Sequence, residues 1–200
     1  MKKYILTVLF CVGSLGGFSQ EAVSVSTPNH EQDIIARFSA VNTLSSQFVQ
    51  EKHMTLLADP VISKGKFSFS KNPAQIRWEY TEPFQNGFLL TNGKTFRLEK
   101  GIKKPAKHSF ARNIAAQMMM WLTFDLAELS KTYNVVYFEG GVHFIPKEKI
   151  TVLEKITVWF STENPQALDR IRLDEPGGDY TVLIFHNPQI NPVLPKEQFQ

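Results

Sequence analysis

Cysteine is almost absent from this 200-residue chain. The single one, Cys11, lies in an opening stretch, MKKYILTVLFCVGSLGGFSQ, that starts basic at Lys2-Lys3, runs apolar from Tyr4 to Val12 and ends in small residues. This is the layout of a secretory signal peptide, and its apolar run is too short to span a bilayer. Cleavage is expected after Ser19, giving a leader of residues 1–19 and a mature chain of 20–200 without cysteine. The bulky Phe10 directly before Cys11 argues against lipid attachment there, where a lipoprotein leader needs a small residue. A mature chain of this kind excludes thiol catalysis, disulfides and thiolate metal sites together.

Long apolar runs are missing after the leader, so an exported, soluble product is expected. A charge excess of one sign is missing too. With Lys2 and Lys3 in the leader, 20 of the 22 basic residues stand against 19 acidic ones, a net +1. A nucleic-acid binder carries a basic stripe, and none is present. One local excess, Lys100, Lys103, Lys104, Lys107 and His108, fits either a solvated loop or a docking surface for lipid headgroups or an acidic partner. No Gly/Ser linker, low-complexity tract or repeat divides the mature chain, so residues 20–200 are expected to form one domain. At that length it buries roughly 70% of its unfolded surface.

Catalytic signatures are equally scarce. The five histidines, His30, His53, His108, His143 and His186, show no local metal-ligand spacing. There is no G-x-S-x-G elbow, no P-loop and no dinucleotide fingerprint. Nothing marks Glu51 and Asp174-Glu175 as carboxylates sharing a cleft. No cofactor, no metal and no enzymatic activity are expected. The enzymatic alternative is a hydrolase whose residues are scattered along the chain.

What the sequence does contain is alternation. Asn29 and Gln32 form a capping pattern ahead of Ile34, Phe38 and Val41 on one helical stripe. The period then changes to two. Val61, Phe67 and Phe69 alternate with Lys64, Lys66, Ser68 and Ser70; Ile76, Trp78 and Tyr80 with Arg77 and Glu79; Phe96 and Leu98 with Thr95, Arg97 and Glu99. Later runs are Ile150 to Val158, Ile171 to Leu173 and Tyr180 to Ile184. Period two marks strands with one apolar and one wet face. Asn92-Gly93 between apolar runs is a hairpin signal, and Gly140-Gly141 and Gly177-Gly178 offer two more tight turns. The pattern predicts about eight to ten antiparallel strands, since the connections are too short for crossovers.

Between the strands, Ser109 to Leu129 reads as one amphipathic helix, with Phe110, Ile114, Met118 and Trp121 on a stripe widened by Met119, Leu122 and Leu126. Three of the five methionines, Met118, Met119 and Met120, stand in a row before Trp121. Such a stripe is either ordinary core or a soft surface that repacks around a variable guest. With a long sheet that is greasy on one side, the helix can enclose an apolar chamber.

Asn72-Pro73, Arg77-Trp78 and Pro83, with Phe48-x-Gln50 and Gly65-Lys66-Phe67-Ser68-Phe69 before them and Leu89-Leu90-Thr91-Asn92-Gly93 after, resemble the periplasmic outer-membrane lipoprotein carriers of the LolA type. The closing Asn187-Pro188 to Phe199 is similar to that family's tail. The resemblance implies an α+β, mainly β fold: a curved antiparallel sheet forming an incomplete barrel, with helices covering its open concave side. It implies a monomer in the periplasm that receives a lipoprotein or other acylated cargo from an inner-membrane ABC transporter and passes it to an outer-membrane acceptor. Phe67, Phe69, Trp78, Tyr80, Phe96, Leu98, Ile114, Met118, Met119, Met120 and Trp121 are then the candidate cavity and lid residues. The sequence departs from the family at Asn72, where the best-known carriers have an arginine tied to one-way transfer. A carrier or sensor for another envelope lipid, such as an aryl polyene lipid, is the alternative on the same fold.

Overall fold

Alternating side chains become eleven strands in the computed structural model, which describes residues 30–106, 118, 122–150, 152–164 and 166–200. The first half contributes β1 (Thr43–His53), β2 (Val61–Ser70), β3 (Gln75–Glu82), β4 (Asn86–Thr91), β5 (Lys94–Glu99) and β6 (Ile102–Pro105). The second contributes β7 (Tyr133–Phe138), β8 (Gly141–Pro146), β9 (Lys155–Phe160), β10 (Leu168–Asp174) and β11 (Tyr180–Ile190). All eleven form one antiparallel sheet in the order β6-β5-β4-β3-β2-β1-β11-β10-β9-β8-β7. Each half is a meander of sequence neighbours, and the pairing of β1 with β11 joins the two. The sheet ends at β6 and β7 and is not closed into a barrel.

The expected strand number falls short because two strands carry weak signals. β6 lies in the lysine-rich segment and is exposed at all four positions, so it has no apolar face to read. In β7, Tyr133, Val135 and Tyr137 do alternate, but the strand directly follows a helix that masks its start. The run expected from Ile150 is a strand only from Lys155; Ile150 makes an isolated bridge with Leu153, and Val152 is exposed. At the β4–β5 turn, Asn92 and Gly93 take φ of 51° and 68°, the left-handed pair this hairpin needs.

Helices cover one face, called here the inner face. Helix α1 (His30–Ser39) turns Ile34 and Phe38 onto it, followed by Val41. Helix α2 (Leu126–Thr132) adds Leu126 and Leu129, and its first turn is capped by the Asp125 side chain accepting from the Glu128 N–H. The single helix expected over Ser109–Leu129 is therefore interrupted. Met118, Leu122 and Thr123 are helical, but Phe124 takes φ 46° and Asp125 starts a new helix. The rest of that segment lies outside the described residues.

Candidate functional site

Strand register decides which side chains share the inner face. Phe48 on β1 lies opposite Gly65 on β2 and Phe185 on β11. Phe67 lies opposite Trp78, and Trp78 opposite Phe88. In the other half, Val158 lies between Val142 and Ile171. All of these but Gly65 belong to one apolar cluster spanning both meanders. At its centre the Phe48 ring stacks on Trp78 at 4.1 Å, Trp78 on Phe67 at 5.3 Å, and Tyr80 meets Phe48 edge-on at 5.4 Å. Such offset and edge contacts are worth about 0.5–1.5 kcal/mol each beyond the area they bury.

Among the expected cavity residues, Phe67, Phe69 and Trp78 are buried in this cluster, and Tyr80 and Met118 pack partly buried against it. Ile114, Met119, Met120 and Trp121 lie outside the described residues. Phe96 and Leu98 do not join them, a correction to the sequence reading. Phe96 lies opposite Leu89 and Leu98 opposite Gly87, whereas inner-face Phe88 and Leu90 lie opposite Arg97 and Thr95. Phe96 and Leu98 thus point outward, into a second small cluster with Leu89, Leu194 and Phe199. Alternation showed that β5 had an apolar face but not which side of the sheet it served. The C-terminal segment covers that outer patch.

The inner face differs from one end to the other. Where β1 begins, Phe38 stacks on Phe124 at 4.1 Å, and Phe160 lies 5.5 Å from both rings; all three are buried. Where β1 ends, polar groups join the inner face beside Leu173 and Ile156. The Tyr80 hydroxyl donates to Gln50 Oε1 at 2.7 Å, Lys52 pairs with Glu175, and Thr181 donates to the same carboxylate at 3.3 Å. Burial pushes the Tyr80 hydroxyl pKa up, so this group stays a protonated donor. Neither the aromatic end nor the polar end was found from sequence. Phe38, Phe124 and Phe160 come from three distant segments, and only the fold unites them.

On the outer face, Arg77 donates to Glu79 Oε1 at 2.7 Å and to the Gln198 carbonyl at 3.1 Å, while Gln198 bonds Ser68. This fixes the terminal 3-10 turn (Lys196–Phe199) against the sheet. Asn72 is exposed in the β2–β3 turn, beside a cavity of about 410 Å³ that Gln75, Thr91, Leu194 and Phe199 also line.

An open antiparallel half-barrel, its apolar inner face covered by helices, is the class this architecture defines. Within that class the chain belongs to the family of the outer membrane lipoprotein carrier protein LolA, whose family model matches residues 39–200. It is 25% identical over 181 residues to the outer-membrane lipoprotein carrier protein of Ralstonia nicotianae, covering 84% of this chain and 81% of that protein. It is 23% identical to the protein of the same name from Pseudoalteromonas translucida, over 100% of this chain and 92% of the relative. The fold is similar to a chain of the Pseudomonas aeruginosa MucA/MucB complex, with a TM-score of 0.51 at 12% identity. That match covers 84% of this chain and 59% of the other. An uncharacterized conserved protein from Thermus thermophilus also has a TM-score of 0.51, at 10% identity over 85% of this chain and 92% of that one.

Proposed function

We propose that this protein is a periplasmic, monomeric, non-enzymatic carrier that holds the acyl chains of lipoproteins against its inner face. In this reading it receives them from an inner-membrane ABC transporter and passes them to an outer-membrane acceptor. Membership of the carrier family and the names of its relatives support the reading. The observation that carries it is the margin of the inner cluster. Large apolar groups, among them Tyr80, Phe88, Leu90, Tyr137, Ile171 and Leu173, are only partly buried although they pack on a fully buried centre. A contiguous margin of this kind, resting on a buried apolar floor, is a surface on which further apolar groups can be laid.

The energetics fit a transient guest. One sixteen-carbon chain gains about 12 kcal/mol at ~0.8 kcal/mol per buried CH₂. That is too tight for handover unless the empty site already satisfies itself. Contacts between the sheet and Phe38, Phe124 and Met118 must be displaced by cargo, which lowers net affinity and permits release. Met is suited to both states because it repacks with little strain.

The test is native mass spectrometry of the protein purified without detergent from its own host, followed by titration with acyl chains. A discrete added mass that leaves as an intact lipid or lipoprotein is the expected result. A bare protein that also refuses added acyl chains overturns the reading, and ester turnover lost on a single Ser or His substitution replaces it with a hydrolase.

A further inference from the structure

The inner face is aromatic at one end, and at the other the polar groups of Gln50, Lys52 and Tyr80 stand beside apolar Leu173 and Ile156, so an amphiphile lying along it meets two different environments. We infer that cargo lies in a single orientation, with acyl-chain ends toward Phe38, Phe124 and Phe160 and an uncharged glyceryl-ester head against Gln50, Lys52 and Tyr80. This inference rests on the carrier reading above and adds a direction and a head chemistry to it.

The aromatic end is a plug. Its three rings are 3%, 4% and 8% exposed and pack on one another. An ester carbonyl placed among these rings loses its water partners and gains no donor from them in exchange. The polar end is built in the opposite sense. Gln50 and Lys52 occupy alternate positions of β1, on the same face as Phe48, and Lys52 lies opposite Thr181. Tyr80 lies opposite Gly65, two residues beyond Trp78 on β3. The cluster is also partly open to solvent, with the Lys52 and Glu175 side chains 25% and 29% exposed. An amphiphile entering this end keeps its head near water while its chains pass the Phe48–Trp78 stack.

Charge selects the kind of head. Lys52 is already paired with Glu175, so the cluster presents no unbalanced cation to a phosphate. What it offers is neutral hydrogen bonding. With Gln50 Oε1 accepting from Tyr80, the Gln50 NH₂ is the donor for an ester or amide carbonyl. Diacylglyceryl esters and the acylated amide of a lipoprotein supply such carbonyls.

Two diacylglyceryl lipopeptides test this, one with a diazirine at an acyl methyl end and one with it beside the ester, photolysed with the purified protein and mapped by peptide mass spectrometry. The methyl-end probe is expected to label peptides carrying Phe38, Phe124 or Phe160, and the ester-side probe those carrying Gln50 to His53 or Tyr80 to Glu82. Reversed or indiscriminate labelling overturns the orientation and leaves the carrier reading standing. Failure of both probes to label at all overturns the two together. A second arm combines Gln50→Leu with Tyr80→Phe. Loss of the Gln50 donor, and of the Tyr80 hydroxyl that orients it, is expected to weaken lipopeptide binding about tenfold while diphenylhexatriene, which has no head, binds as before. Equal loss for both ligands, or no loss, overturns the head assignment, as does phosphatidylglycerol competing better than the lipopeptide.

Discussion

Gly65 shows how much the inner face depends on one residue. A Cβ built there meets the Glu79 carbonyl oxygen and the Phe48 ring edge, each at 2.3 Å. The ring stacked on Trp78 occupies the space a side chain needs, so the glycine is required by close approach. Gly65→Val is expected to cost about 1–3 kcal/mol through overpacking, since neither the carbonyl nor the stacked ring can yield freely. At this chain length that lowers the melting temperature by roughly 2–12 °C, read by calorimetry. An unchanged melting temperature means that Phe48 is mobile and the stack is not a fixed wall. The sequence supplied Gly65 two residues before Phe67, but nothing local revealed that Phe48, on the preceding strand, fills the gap.

At the scale of elements, the terminal segment and the sheet are joined through Arg77. Its guanidinium holds the Glu79 carboxyl below the usual carboxylate range, chiefly through their hydrogen bond. A depressed carboxylate pKa contributes stability that is present above the unfolded value and is lost as pH falls through the folded one. Arg77→Met is therefore expected to lower the urea midpoint at pH 7 but much less at pH 3, flattening the acid limb of the stability curve. A constant loss across that range shows that Arg77 acts by packing rather than by charge. The sequence made Arg77 face away from Trp78, as observed, because period two admits no other arrangement. It did not reveal that Gln198 lies against Arg77, a contact between residues far apart in the chain. The same distance hid the fate of Phe96 and Leu98, which β5 presents to the terminal segment and not to the inner face.

For the whole molecule, an open sheet leaves two edges, and the β6 edge carries Lys103 and Lys104 of the lysine-rich segment. Lys103 lies over the Phe96 ring at 4.7 Å and Lys104 pairs with Glu99, both on an exposed strand. Lysine on an edge strand opposes pairing with a second sheet, because the ammonium cannot be buried there. Replacing Lys103 and Lys104 with Val is expected to raise the mass of the species in solution above that of the parent protein, seen by light scattering after gel filtration. A variant whose mass in solution matches the parent's assigns the lysines to another task, such as contact with an acidic surface.

The sequence by itself determined the alternating strands, the Asn92-Gly93 turn and the stripe of α1, because each depends on residues a few positions apart. It also carried enough of the family's spacing, from Phe48 to Phe199, to indicate an incomplete barrel covered by helices. Only the tertiary structure decided which face of each strand turns inward, where the helix breaks at Phe124, and how the inner face places the Phe38, Phe124 and Phe160 rings at one end and the Gln50, Lys52 and Tyr80 polar groups at the other. Those features rest on register and on contacts between distant segments. A periodicity of two leaves the choice of face open until neighbouring strands are paired.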